Sequence, residues 1–432
     1  TAPSQAGRLV ARTARSGRRD GTFRAHPKPG NAHPNHDARE TRSMTNLSTM
    51  LPRLSWPDVW GRRLDRHGLS APVHGRPADA VAAMCGAHAQ VLSAAEVSIG
   101  LRVAGITRND VRDALWKERS LVKTFGPRGT VHLLPTRELP LWTGALGALP
   151  PSSNSLPADA RLTPEQSDEV VSAIAEALAD AELTIDELTA AVAARTGSWA
   201  ADPVVPGFGG MWPRWRQAIH LAAHRGALCF GPNRGRKVTY TSPQRWLPGL
   251  RPAPAPDALA GLVRRYLHAY GPATPQQFAQ WLSAPRRWAT HLFDSLADEL
   301  QHVDVAGTVA WVPAGDTAPA PVPPHGVRLL PYFDAYTVGC HPREQLFPGS
   351  AAQRALFGGQ AGNFPVLLID GTVAGIWHLR RSGRKLHITV EPLTTLTVTD
   401  RRDLDDQVDR IGEILEGRPQ LTIGTVTVGG HA

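Results

Sequence analysis

Residues 106–134 read ITRNDVRDALWKERSLVKTFGPRGTVHLL, and the order of elements they encode decides the fold. Thr107 is the expected N-cap of a helix running from Arg108 to Glu118, with Ile106, Val111 and Leu115 on one face. Residues 121–125 and 130–134 are strand-forming and flank a Gly-Pro-Arg-Gly turn, which predicts a hairpin. A further helix is expected near 93–103. Helices followed by a hairpin are the plan of a winged helix, in which a helix enters the major groove of DNA and the hairpin touches phosphates.

The plan recurs twice. LTIDELTAAVAARTG opens with Thr184 and Glu187 in a capping box. GMWPRWRQAIHLAAHRG reads as the next helix, and ALCFGPNRGRKVTYT as two strands around a basic turn. A third segment, from Asp257 to Pro313, reads as three helices and a hairpin centred on Gly307. After the Pro-rich linker 317–326 the pattern becomes strand-rich. VRLLPYFDAYTVG, PVLLIDGTVAGIWHLRRSGRKLHITVEPL and RPQLTIGTVTV read as strands, with turns at Asp370-Gly371 and Ser382-Gly383 and one helix over DRRDLDDQVDRIGEILEG. The expected fold class is α+β. The expected units are a disordered basic tail (1–50), winged helices over 56–155, 160–250 and 256–316, and a mostly-β domain with one helix over 326–430.

The chain has 432 residues and a formal net charge of +9. Residues 1–43 hold nine Lys and Arg against three Asp and Glu, so the tail carries most of that excess. Global charge is therefore weak evidence of nucleic-acid binding by the folded part, and clusters must carry it. Because the chain begins with Thr, Met44 and Met50 are alternative starts. Three scattered cysteines without a CxxC pair fit neither a disulfide framework nor a zinc site and suit a reducing cytoplasm. No signal peptide or membrane-spanning run is apparent.

Basic residues collect on the predicted hairpins: Lys123 and Arg128 on the first, Arg234, Arg236 and Lys237 on the second, and Arg380, Arg381, Arg384 and Lys385 on the C-terminal one. Such residues are either solvated turns or phosphate contacts. Arg214 lies between Trp212 and Trp215, an interleaving that stacks bases, although core packing suits most of the twelve tryptophans better. His132 alternates with Val131 and Leu133 along its strand and meets either the DNA backbone or a buried partner. Asp334, in PYFDAY, is a candidate for ordering the interface between the β domain and a winged helix.

One further stretch stands out. Gly86-Ala87-His88-Ala89-Gln90 closes an apolar run with an imidazole and a carboxamide two residues apart. On a helix these point apart, whereas on extended backbone they return to one side. Gly86 makes the break from helix plausible, and a converging pair suits one held water.

FGPRGTVHLLPTRELPLW, LLPYFDAYTVGCHPRE and PVLLIDGTVAGIWHLRR closely resemble the AlkZ/YcaQ-type winged-helix DNA glycosylases, and the similarity runs over about 56–425. The resemblance implies three tandem winged helices and a β domain curved in a C around duplex DNA. It also implies excision of alkylated bases, including bulky N7-purine adducts and, in some members, interstrand crosslinks. The family's Gln-apolar-Gln motif falls on His88-Ala89-Gln90, a departure at its first position that matches a His-apolar-Gln branch. It implies that His88 activates a water and Gln90 positions it. The expectation is a monomeric, monofunctional enzyme at the nucleoid, with duplex DNA as partner, no membrane, no cofactor and no metal. The alternatives are a winged-helix regulator without catalysis and a winged-helix adaptor for protein contacts.

Overall fold

The computed structural model describes residues 51–151, 155–207 and 209–430; the tail expected over 1–50 lies outside them. Strand β1 (Arg53–Leu54) leads into helix α1 (Trp56–Arg66). The first unit follows as α2 (Pro77–Ala83), β2 (Ala87–His88), α3 (Leu92–Gly100), α4 (Arg108–Trp116), β3 (Leu121–Phe125) and β4 (Val131–Pro135), with α5 (Leu139–Gly147) beyond it. Thr107 caps α4, and the Asp110 carboxylate accepts from the Thr107 amide at 2.7 Å. Such a cap contributes about 1 kcal/mol. The sheet order β2-β4-β3 completes the winged-helix order of helix, strand, two helices and two strands. The upstream helix is shorter than the 93–103 expected.

The second unit contains α6 (Pro164–Leu178), β5 (Leu183–Thr184), α7 (Ile185–Thr196), β6 (Pro203–Gly207), β7 (Gly210–Pro213), α8 (Ile219–His224), β8 (Cys229–Arg234) and β9 (Lys237–Thr241). Its sheet order is β5-β9-β8. The expected helix from Gly210 is corrected: β6 and β7 pair as an inserted hairpin, and residues 214–218 form a 3₁₀ turn before α8. Gly210, at φ +148°, and Pro213 exclude helix upstream of that turn.

The third unit is α9 (Ala255–Tyr270), α10 (Pro275–Leu282), α11 (Arg286–Asp294), β10 (Leu300–Val305) and β11 (Thr308–Pro313). A bridge from Ala273 to Trp311 replaces its first strand. β1 adds to the edge in parallel, pairing Arg53 with Asp304. The final unit is β12 (Val327–Leu330), α12 (Ala335–Gly339), α13 (Arg343–Leu346), α14 (Ser350–Ala355), β13 (Val366–Ile369), β14 (Thr372–Ser382), β15 (Lys385–Pro392), α15 (Val398–Ile414) and β16 (Arg418–Ile423). Its five strands follow chain order in one sheet. The strand expected across 327–339 stops at Leu330, because Asp334 caps α12 instead.

Apolar packing crosses the expected units. The first and second units each have an apolar core of their own. The third unit and the C-terminal sheet share one continuous core, which α1 and α5 also enter. Arg63 of α1 is buried and donates to the carbonyls of Pro272 (3.1 Å) and His341 (2.9 Å). Residues 56–66 thus pack into the shared core, which Cys85, Val97, Leu101, Val122 and Leu134 of the first unit also enter.

Candidate active site

Cys85 (φ +55°) and Gly86 (φ +95°) turn the chain sharply after α2. Extended backbone follows: Ala87 opposes Leu133, His88 opposes His132, and the Ala89 amide donates to the Val131 carbonyl at 2.7 Å. Ala87 and Ala89 are fully buried in the core of the first unit. The period of two in extended backbone turns His88 the other way, and the extension gives way to a bend at Gln90. His88 is 8% exposed, while Gln90 is exposed just before α3 begins.

Two rings frame His88. Phe333 stacks on it, with centroids 4.6 Å apart and planes 19° apart, and His132 lies 5.0 Å away, tilted by 60°. Phe333 has φ +55°, a conformation that a bulky residue keeps only where its surroundings hold it. The next residue supplies that hold. The buried Asp334 carboxylate accepts from the Arg102 guanidinium at 2.8 and 2.9 Å, from Ser98 Oγ at 2.7 Å and from the Tyr336 amide at 2.9 Å. Burial alone would raise the Asp334 pKa, but Arg102, Ser98 and Tyr336 together hold it below the usual carboxylate value. Ser98 lies on α3 and Arg102 just beyond it, so the segment leading from His88 and Gln90 is bolted to the loop that carries Phe333. The interface role expected of Asp334 is thus observed.

His132 is 4% exposed, and its Nδ1 lies 2.9 Å from the Thr130 carbonyl. Nδ1 is therefore the donor, and Nε2 is left as the acceptor. Burial, reinforced by Arg128, pushes its pKa down to about 3. The ring beside His88 is neutral near neutral pH. Of the two readings left open for His132, DNA backbone or buried partner, its burial, its bond to Thr130 and its place beside His88 favour the second.

The basic hairpins separate into two groups. Lys123 lies within β3 with its ammonium 5.2 Å from the Phe230 ring, and burial lowers its pKa. Arg128 donates to the Trp281 carbonyl at 2.6 Å and ties the first wing to α10. Arg214 donates to the Asp159 carbonyl at 2.7 Å and lies 3.6 Å from Asp202. Arg234 pairs with Glu187 at 2.7 Å and Lys237 with Asp186 at 3.0 Å. Arg381 donates to the Leu415 carbonyl at 3.0 Å. Each of these six has a partner within the chain that the one-dimensional pattern did not reveal, although Arg234, Lys237 and Arg381 remain exposed. Arg236, Arg380, Arg384 and Lys385 are exposed, and no ion pair among the described residues neutralises them.

Sequence reasoning missed Phe333 and Arg102. PYFDAY was visible as a motif, but a positive φ at a phenylalanine has no sequence signal. Among the described residues, no group of three His, Cys, Asp or Glu side chains could hold a metal ion, and no helix is long and apolar enough to cross a membrane.

Residues 81–414 match the family described as DNA glycosylase AlkZ-like. An interstrand DNA cross-link repair glycosylase from Streptomyces sahachiroi is 33% identical over 357 residues, spanning 76% of this chain and 88% of that protein. The solved structure of the Streptomyces sahachiroi DNA glycosylase AlkZ superposes with a TM-score of 0.74 at 29% identity, covering 86% of this chain and all of that one.

Proposed function

Because the chain belongs to the AlkZ-like DNA glycosylases, hydrolases of N-glycosyl bonds, we propose that it excises N7- or N3-alkylated purines from duplex DNA using a water at His88 and Gln90. The observation that carries this reading is the extended backbone at 87–89, which buries both alanines and turns His88 away from the core. An alkylated purine already carries positive charge, so the leaving base requires no strong general acid. What remains is to deliver a water to the anomeric carbon.

His88 takes one proton from that water, and the Gln90 carbonyl oxygen accepts the other hydrogen and aims the oxygen. The oxygen bonds to C1′, the C–N bond breaks, and its electron pair neutralises the departing base. A neutral His132 places no positive charge beside the base. Phe333 restricts the imidazole to one plane, which lowers the entropic cost of aligning it.

The relative named for interstrand cross-link repair favours bulky adducts or crosslinks as substrates here as well. Such lesions fit a site at the duplex surface better than a pocket that receives a flipped base. The reading extends to a monofunctional, monomeric enzyme.

Abasic-site formation on a duplex carrying 7-methylguanine tests it. His88→Ala and Gln90→Ala are each expected to slow excision by roughly 10²–10⁴-fold for the base and less for the carboxamide. Unchanged rates in both would remove the pair from the chemistry. The same assay separates an enzyme from a regulator, which would bind the duplex and form no abasic sites.

A further inference from the structure

The second unit carries a cleft that the chemistry at His88 does not use. It lies between the start of α7 and strand β9, encloses about 310 Å³, and is lined by Asp186, Arg216, Lys237 and Tyr240 among others. The Arg216 guanidinium sits 3.7 Å from the Trp212 ring centroid. An arginine laid on an indole is restrained in rotamer and keeps its N–H edge available to a planar or tetrahedral anion.

The neighbouring cations are already engaged: Lys237 by Asp186, Arg234 by Glu187, and Arg214 by Asp159 and Asp202. Among the described residues Arg216 has no ion pair, and its Nε is shielded from solvent without an acceptor. Burial lowers its pKa, with Tyr240 opposing. A guanidinium held in this way is costly until an anion supplies acceptors.

The cleft is also connected to the site. Four residues beyond Arg216, His220 packs edge-on against Phe125 at 4.6 Å and lies against the Gly129 backbone. Both belong to the first hairpin, whose second strand carries His132 beside His88. One wing thus joins the two places.

We infer that this cleft seats one phosphate of the duplex backbone, with Arg216 as its donor and Trp212 as the platform that fixes the donor. The inference rests on the reading of the chain as an enzyme acting on duplex DNA. The contact positions the strand and carries no base specificity.

Affinity for an unmodified duplex, measured between about 50 and 200 mM salt, reads it out. Arg216→Ala is expected to lower affinity several-fold at low salt and to flatten the slope of log K against log salt by about 0.9, the value for one lost phosphate contact. Arg216→Lys keeps the charge and should retain the slope with reduced affinity. Arg401→Ala, at an exposed cation on α15, controls for net charge and should leave the slope in place. If Arg216→Ala melts early, Arg216→Gln replaces it. An unchanged slope in the folded variant, or an equal change in Arg401→Ala, overturns the phosphate seat. Wild-type protein that forms no abasic sites while Arg216→Ala still flattens the slope would overturn the glycosylase chemistry and leave the seat standing.

Discussion

At Gly126 a Cβ would lie 2.8 Å from the His132 ring, closer than side chains pack, so an alanine there displaces the imidazole that stands beside His88. Overpacking of this kind costs about 1–3 kcal/mol, and each 1.36 kcal/mol expressed at the transition state is tenfold in rate. Gly126→Ala is therefore expected to slow excision roughly tenfold or more in single-turnover assays. Adding His132→Ala frees the space and should recover part of the stability lost in urea titrations. A further loss on combining the two would show that the clash is not with His132. The turn at Gly126-Pro127-Arg128-Gly129 was legible in the sequence. That a ring two strand positions on fills the space above Gly126 was not, because it depends on how the wing curls back.

At the scale of elements, the Arg102–Asp334 pair joins α3 to the cap of α12, with both side chains at most 1% exposed. Removing one partner of such a pair leaves a buried charge and costs about 3–5 kcal/mol. Asp334→Asn should lower unfolding stability by that order and slow excision through loss of the Phe333 stack. Arg102→Met combined with Asp334→Leu should be less destabilised than Asp334→Asn. Equal losses would mean that the pair matters only as filled volume. Capped helices and two-residue turns were readable from sequence because their signals are local, as at Thr107 with Asp110 and at Asp370-Gly371. Extended backbone after Gly86 was one option in the sequence, but the pairing of β2 was not legible, and the β6–β7 hairpin was not anticipated as strands. β2 has only two residues and exists through its pairing with β4, and β6–β7 interrupts a stretch whose apolar spacing suits a helix.

Across the whole molecule, buried histidines mark the joins. His67 meets the Ala269 carbonyl, His132 stands beside His88, and the His341 carbonyl receives Arg63. Burial lowers each of their pKa values to about 3. An unfolded chain protonates these rings below about 6.5 and the folded chain does not, so the unfolded state gains protons as pH falls. Stability is complete above pH 6.5 and declines progressively towards pH 3. Chemical denaturation across that range should show a falling midpoint, and His132→Asn should reduce the slope by up to about 1.4 kcal/mol per pH unit. An unaltered slope would place the acid sensitivity elsewhere. Charge was the least legible feature at this scale. Runs of Arg and Lys can be read along a chain, but Asp186 and Glu187, about fifty residues before Lys237 and Arg234, decide which of them stay free. The parallel pairing of Arg53 with Asp304 also imposes an order on biosynthesis. β1 and α1 leave the ribosome about 250 residues ahead of β10, a lag of roughly 12 to 50 s at ordinary elongation rates. The first two units have time to mature in that interval, whereas the amphipathic α1 must wait in the open, a nascent segment for chaperones to shield.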